Sequence, residues 1–248
     1  MHKSFALPHF PAVIATRGPA IAPLLFGWAF TKEFSSFDDM VARIDDEMPE
    51  IHEILMPDLG EHGEGFDLVI AGYSEERKAF EFYTMTTLSI ADRGYSDEES
   101  AEVLAAGALD QKPYQLVEIK EPLLCSPAIL SEDEIAATGL NQRVANLGRQ
   151  AQIDETFRTV LEMQRQKPFN FMDCDEPFHG IGGWATVCTV TKTGVDQRVI
   201  HRWRGDRIGE LIKPEPVDWS ATVTPINTAG MSRQQRRYLE RQAKKKRA

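Results

Sequence analysis

Residues 66–87, FDLVIAGYSEERKAFEFYTMTT, decide the fold class. Residues 66–72 form an apolar run closing on Gly72, SEERK follows as a polar connection, and Ala79, Phe80, Phe82, Tyr83 and Met85 resume apolar character. Two such runs joined by a short polar stretch predict an antiparallel hairpin. Hairpin-linked strands argue against a doubly wound parallel sheet, where a helical crossover separates consecutive strands.

Upstream, PAVIAT at 11–16 reads as a strand, with a turn at Arg17-Gly18. Residues 19–31, PAIAPLLFGWAFT, read as a helix with Pro19 near its first turn. Pro23 fits only if the helix starts there, because proline cannot donate from a helix interior. A clearer helix begins after Ser36, where Phe37, Met40, Val41 and Ile44 recur at helical spacing. Ser36 can cap its first turn, and Asp38 and Asp39 suit its positive end. Pro49 is expected to interrupt or kink it, and 58–65 reads as a polar loop.

Downstream, 97–108 reads as a short helix and YQLVEI at 114–119 as a strand. Ser131 and Glu134 form a capping-box pattern. Residues 144–165 carry Leu147, Ala151, Ile153, Phe157, Val160, Leu161 and Met163, the pattern of a long helix or a broken pair ending before Pro168. In GIGGWATVCTVTKTGVDQRVIHRWRG (180–205), Trp184, Thr186, Cys188 and Val190 share one strand face and Ala185, Val187 and Thr189 the other. With both faces covered, the strand is expected to be central, and VDQRVIHRW returns beside it after a turn at 192–194. The order predicts an α+β fold, a four-layer α-β-β-α sandwich with mainly antiparallel sheets. The expected organisation is a sandwich domain over 1–213, an extended linker over 214–231 and a basic tail over 232–248.

The chain has 248 residues and a formal charge of −10, unevenly spread. SRQQRRYLERQAKKKRA (232–248) holds eight basic residues and one acid, +7, so the preceding 231 residues carry −10 − 7 = −17. An acidic body repels phosphates at long range, which leaves the tail as the segment suited to nucleic acid or to an acidic protein surface. No apolar run reaches the roughly 18 residues of a membrane span. The opening stretch, broken by prolines, lacks a signal-peptide pattern. Cys125, Cys174 and Cys188 fit neither a disulfide framework nor a CxxC metal pair, which points to reduced thiols and a cytoplasmic protein.

The order of elements resembles the proteasome-subunit branch of the N-terminal-nucleophile hydrolases. Lys3–Leu7 followed by PAVIATRG is similar to the family's strand leading to a glycine before its first long helix. PAIAPLLFGWAF and FDDMVARIDDEM are similar to its paired helices, FDLVIAGYSEERKAFEFYTMT to the strand, glycine and turn that follow, and GIGGWATVCTVTKTGV to its late strand after a Gly-Gly pair. The resemblance covers roughly residues 3–205. The family's peptidases attack with an amino-terminal Thr, Ser or Cys whose free amine serves as base. Here the sequence starts Met1-His2, and the strands bearing the nucleophile and its supporting Asp and Lys would lie upstream of Lys3. The resemblance therefore implies a noncatalytic, self-associating structural or assembly protein. The alternatives are an amide or peptide hydrolase whose nucleophile region is absent from this sequence, and a nucleic-acid-associated accessory protein using its tail.

Two further clusters carry side chains capable of chemistry. His52 lies amid Asp45, Asp46, Glu50, Glu53 and Asp58, and His62 sits between Glu61 and Glu64. Histidine with carboxylates can hold zinc or manganese, but the spacing matches no specific metal signature, so a solvated acidic helix end competes. In DCDEPFHGIGG (173–183), Cys174 and His179 could act as nucleophile and base if folding brings them within about 3 Å, although three adjacent acids oppose a thiolate. No cofactor motif is present, because the glycines of 180–183 are not followed by the phosphate-loop Lys-Ser/Thr.

Overall fold

The computed structural model describes residues 3–60, 65–90, 92, 101, 111–120, 130–168, 178–207 and 210–219. Its elements are β1 (Ser4–Ala6), β2 (Ala12–Arg17), α1 (Ala22–Glu33), α2 (Phe37–Leu59), β3 (Asp67–Ser74), β4 (Ala79–Thr86), β5 (Val117–Glu118), α3 (Glu132–Ala137), α4 (Leu140–Val144), α5 (Arg149–Gln166), β6 (Trp184–Thr191) and β7 (Gly194–Arg202). The fold is mixed α+β with two antiparallel sheets: a five-stranded sheet in the order β1-β2-β3-β4-β5, and the β6–β7 hairpin. Two compact units divide the chain, Met1–Ile129 with Ile181–Ile212, and Leu130–Gly180 with Lys213–Ala248. The expected linker is described only as far as Trp219; the expected helix at 97–108 (apart from residue 101) and the basic tail lie outside the described residues.

The hairpin that decides the fold class forms β3 and β4, paired from Asp67↔Thr86 to Ser74↔Ala79. Its sequence alternation becomes a division of faces. Ala12, Ile14, Leu68, Ile70, Tyr83 and Met85 join Phe26 and Phe30 of α1 and Phe37, Met40, Ile44 and Met48 of α2 in one apolar core. The two helices thus cover one face of the five-stranded sheet. Close approach depends on glycine at two points. A methyl group at Gly72 would lie 2.2 Å from the Phe37 ring, and one at Gly27 would lie 2.2 Å from the Phe5 ring. Residues of opposite parity, Ser4 and Tyr73 among them, meet β6–β7. Gln197 Nε2 donates to Ser4 Oγ at 2.8 Å, Ser4 Oγ lies 3.4 Å from Cys188 Sγ, and the Lys192 ammonium sits 5.4 Å from the centre of the Tyr73 ring.

Two expectations are corrected. The interruption expected at Pro49 does not occur: α2 runs through Pro49, and through Pro57, as one 23-residue helix. Both prolines sit on its exposed side, so the Asp45 and Glu53 carbonyls that lose their helical donors belong to exposed residues able to bond water. Past Pro49, Leu55 and Leu59 stay buried in the core. Burial is worth about 1.5–3 kcal/mol per large apolar side chain, against about 3 kcal/mol for an interior proline, so packing carries the helix onward. The second correction concerns β6, expected to be central; among the described residues it pairs with β7 alone. Its residues are intermediate or buried on both faces over Trp184–Cys188, which is why its pattern reads as an interior strand.

Candidate functional site

Of the candidate residues, His52 and His179 are described; His62 and Cys174 lie outside the described residues. His52 occupies the core side of α2, following Met48 by four residues and preceding Leu55 by three, and is 5% exposed. Its ring stands edge-on to Phe66 with centroids 5.1 Å apart, and its Nδ1 is hydrogen-bonded to the Tyr114 hydroxyl at 2.8 Å. Burial raises the Tyr114 pKa, which keeps the phenol protonated. The acids that neighbour His52 in sequence point elsewhere: Asp45, Asp46, Glu50 and Glu53 are exposed, and Asp45 Oδ1 accepts from the Leu116 backbone N–H at 2.8 Å. Sequence adjacency gathered a histidine and its carboxylates, and helical periodicity separates them. Two side chains of α2, His52 and Asp45, thereby tie the 114–116 segment to the helix. Among the described residues no group of three or more His, Cys, Asp or Glu side chains could hold a metal ion.

His179 presents a different geometry. Its Nδ1–H donates to the Arg165 carbonyl at 2.8 Å, which leaves Nε2 of the neutral ring as an acceptor.

The residues alone did not reveal a densely bonded polar cluster among the described residues of the first unit, where the N-terminus of α2 meets the β3–β4 turn. Ser36 accepts from the Asp39 N–H, as a cap should, and Asp38 reaches out to the hairpin. The Asp38 carboxylate accepts from the Ser74 hydroxyl, from the Glu75 N–H at 2.9 Å and from the Glu76 N–H at 3.1 Å, and pairs with Arg77 at 3.1 Å. Burial pushes the Asp38 pKa up; the Ser74 hydroxyl, the two backbone donors and Arg77 outweigh it, and the net shift is downward. Arg77 also holds Glu81, lowering the Glu81 pKa, and Glu81 accepts from Tyr83 at 2.9 Å. Burial and that hydrogen bond push Tyr83 up to about 12. Every oxygen of Asp38 is thus engaged in holding the turn, a docking role that leaves it no proton to exchange near neutral pH. The only sequence signal was an acid in the first turn of a capped helix.

The second unit has its own buried ionic group. Glu155, on α5, accepts from Arg143 Nε at 3.0 Å and pairs with Arg158 at 2.7 Å. Arg143 also donates to the Thr159 hydroxyl at 2.7 Å and to the Thr138 carbonyl, and lies 5.3 Å from the centre of the Trp219 ring. Burial raises the Glu155 pKa, and the two arginines more than reverse it. No family model matches the chain, and neither does any curated protein.

Proposed function

We propose that the chain is a noncatalytic, proteasome-like structural or assembly protein that works by self-association. One observation carries the reading: a helix pair covers one face of an antiparallel sheet while a second antiparallel hairpin meets the residues of opposite parity. That is the layering the sequence resemblance implies, and the reading extends it to the four-layer α-β-β-α sandwich. Fold analogy alone does not specify function, so the support has to come from the surface. The helix pair turns Leu24, Trp28 and Ile54 outward, each more than half exposed, with Leu24 and Trp28 one turn apart on α1. The reading assigns these side chains to contact with another copy. It also fits the engagement of Asp38 and Glu155 in holding turns and helices rather than facing a cleft.

Sedimentation of the native chain beside a Leu24→Glu/Trp28→Glu variant tests this. The native chain should sediment as an oligomer and the variant should shift to the monomer with unchanged circular dichroism. An oligomer that survives both substitutions would remove α1 from the interface.

A further inference from the structure

The stretch RVIHRWRGDR (198–207) runs opposite in charge to the rest of the body. It carries four arginines against one aspartate, 4 − 1 = +3 with His201 neutral, in a chain of net −10. Its single acid is engaged locally, since Asp206 Oδ2 accepts from the Gly183 N–H at 2.7 Å. The Trp203 N–H bonds the Gly183 carbonyl at 3.0 Å, which closes the same end of the β6–β7 hairpin.

Aromatic rings are interleaved with these cations. Trp184 and Arg202 are paired across the two strands, and the Arg202 guanidinium lies 5.7 Å from the centre of the Trp184 ring. His201 stands edge-on to Trp203, centroids 4.9 Å apart. Arg202 and Arg204 are exposed, and the Arg207 side chain is 77% exposed with Glu210 as a loose partner at 3.9 Å. A register shift between Ala185 and Thr186 falls beside them. Irregular pairing of this kind bends a strand and re-aims its side chains.

We propose that this end of the β6–β7 hairpin binds single-stranded nucleic acid, with Arg202, Arg204 and Arg207 on the phosphates and the Trp184 ring, which shares a face with Arg202, against a base. An acidic peptide would need only the charge. A guanidinium and a ring side by side on one face, as Arg202 and Trp184 are, is what a strand with splayed bases exploits, because every base has a face to stack and every link a phosphate to pair. Three exposed arginines are too few to neutralise a duplex against the remaining acidic body, whereas stacking supplies affinity that charge does not. The cations of the basic tail add phosphate attraction. This inference is independent of self-association.

The test is fluorescence anisotropy of a labelled deoxythymidine 20-mer with the full chain at 50–200 mM salt. Binding should weaken steeply with salt. Arg202→Glu/Arg204→Glu/Arg207→Glu should weaken it at least tenfold and flatten the log–log salt slope by about 2, three contacts at about 0.7 each. Arg204→Gln/Arg207→Gln, which alters only solvent-facing guanidiniums, should weaken it about fivefold with an unchanged urea midpoint. A duplex of equal length should compete at least tenfold less well. Lys244→Gln/Lys245→Gln/Lys246→Gln should lower affinity yet leave the arginine effect in place. The proposal fails if the native chain does not bind the oligomer or if the arginine variants bind like the native chain. It fails equally if the tail substitutions alone abolish binding, if the duplex binds better, or if polyglutamate of equal charge competes as well as the oligonucleotide.

Discussion

α2 and α5 are both long helices with one side turned to protein, and they bury opposite chemistries. α2 buries Phe37, Met40, Ile44, Met48, Leu55 and Leu59, with His52 the single titratable group among them. α5 buries Asp154, Glu155, Thr159, Glu162, Gln164 and Arg165 alongside only Val160 and Met163. Apolar burial is non-directional and survives small errors of shape. A buried ion pair repays its desolvation only when every partner is in place, and the loss of one partner strands the others. One unit is therefore held by area and the other by geometry, and the two should fail differently.

The largest effect is expected in the polar unit. Glu155→Gln keeps the shape but leaves Arg143 and Arg158 without their counter-charge; Glu155 and Arg143 are 2% and 10% exposed. The expected loss is about 3–5 kcal/mol, read from the urea midpoint. A loss under about 1 kcal/mol would mean that the buried ions contribute nothing and would break the comparison. In the apolar unit, Gly72→Ala drives a methyl into the Phe37 ring and should cost about 1–3 kcal/mol by the same measurement. Phe37→Leu in the same chain should relieve part of that cost, a recovery that no change in turn or strand propensity would produce.

Acid titration sharpens the contrast further. Glu155 and Asp38 both have folded pKa values below their ordinary 4.5 and 3.8. Their stabilisation is thus fully present above those ordinary values and is lost as pH falls through the lower folded values. Stability measured from pH 6 downward should begin to fall near pH 4.5, and the Glu155→Gln chain should fall less over the same interval. Parallel curves would show that Glu155 is not a source of acid sensitivity. The smallest effects are at the caps. Ser36→Ala and Ser131→Ala each remove a side-chain acceptor for a first-turn N–H and should cost about 1 kcal/mol. Ser131 caps only the short α3, so hydrogen exchange of α3 should rise while that of α2 stays unchanged.

What could be read in the sequence follows the same division. The β3–β4 hairpin, the start of α2 at Ser36, the capping box at Ser131 and the turn between β6 and β7 were all legible, because each rests on local periodicity or on one side chain bonding its neighbour's backbone. α5 was recognised as helical, yet its buried side was not. Its apolar residues include Phe157, which is 40% exposed, while Glu155 and Thr159 beside it are buried. A pattern that equates apolar with inside inverts such a face. Pro49 misled for the opposite reason, since a local breaker lost to packing that extends across 23 residues. The His52–Tyr114 and Asp38–Ser74 bonds join residues 62 and 36 positions apart, beyond any local signal.

The proposed self-association is measured most directly by the native mass of the intact chain, by light scattering at physiological salt over a hundredfold range of concentration. One chain weighs 27.9 kDa. A self-associating chain should show a discrete multiple of that mass that persists on dilution; a single species at 27.9 kDa throughout would contradict self-association.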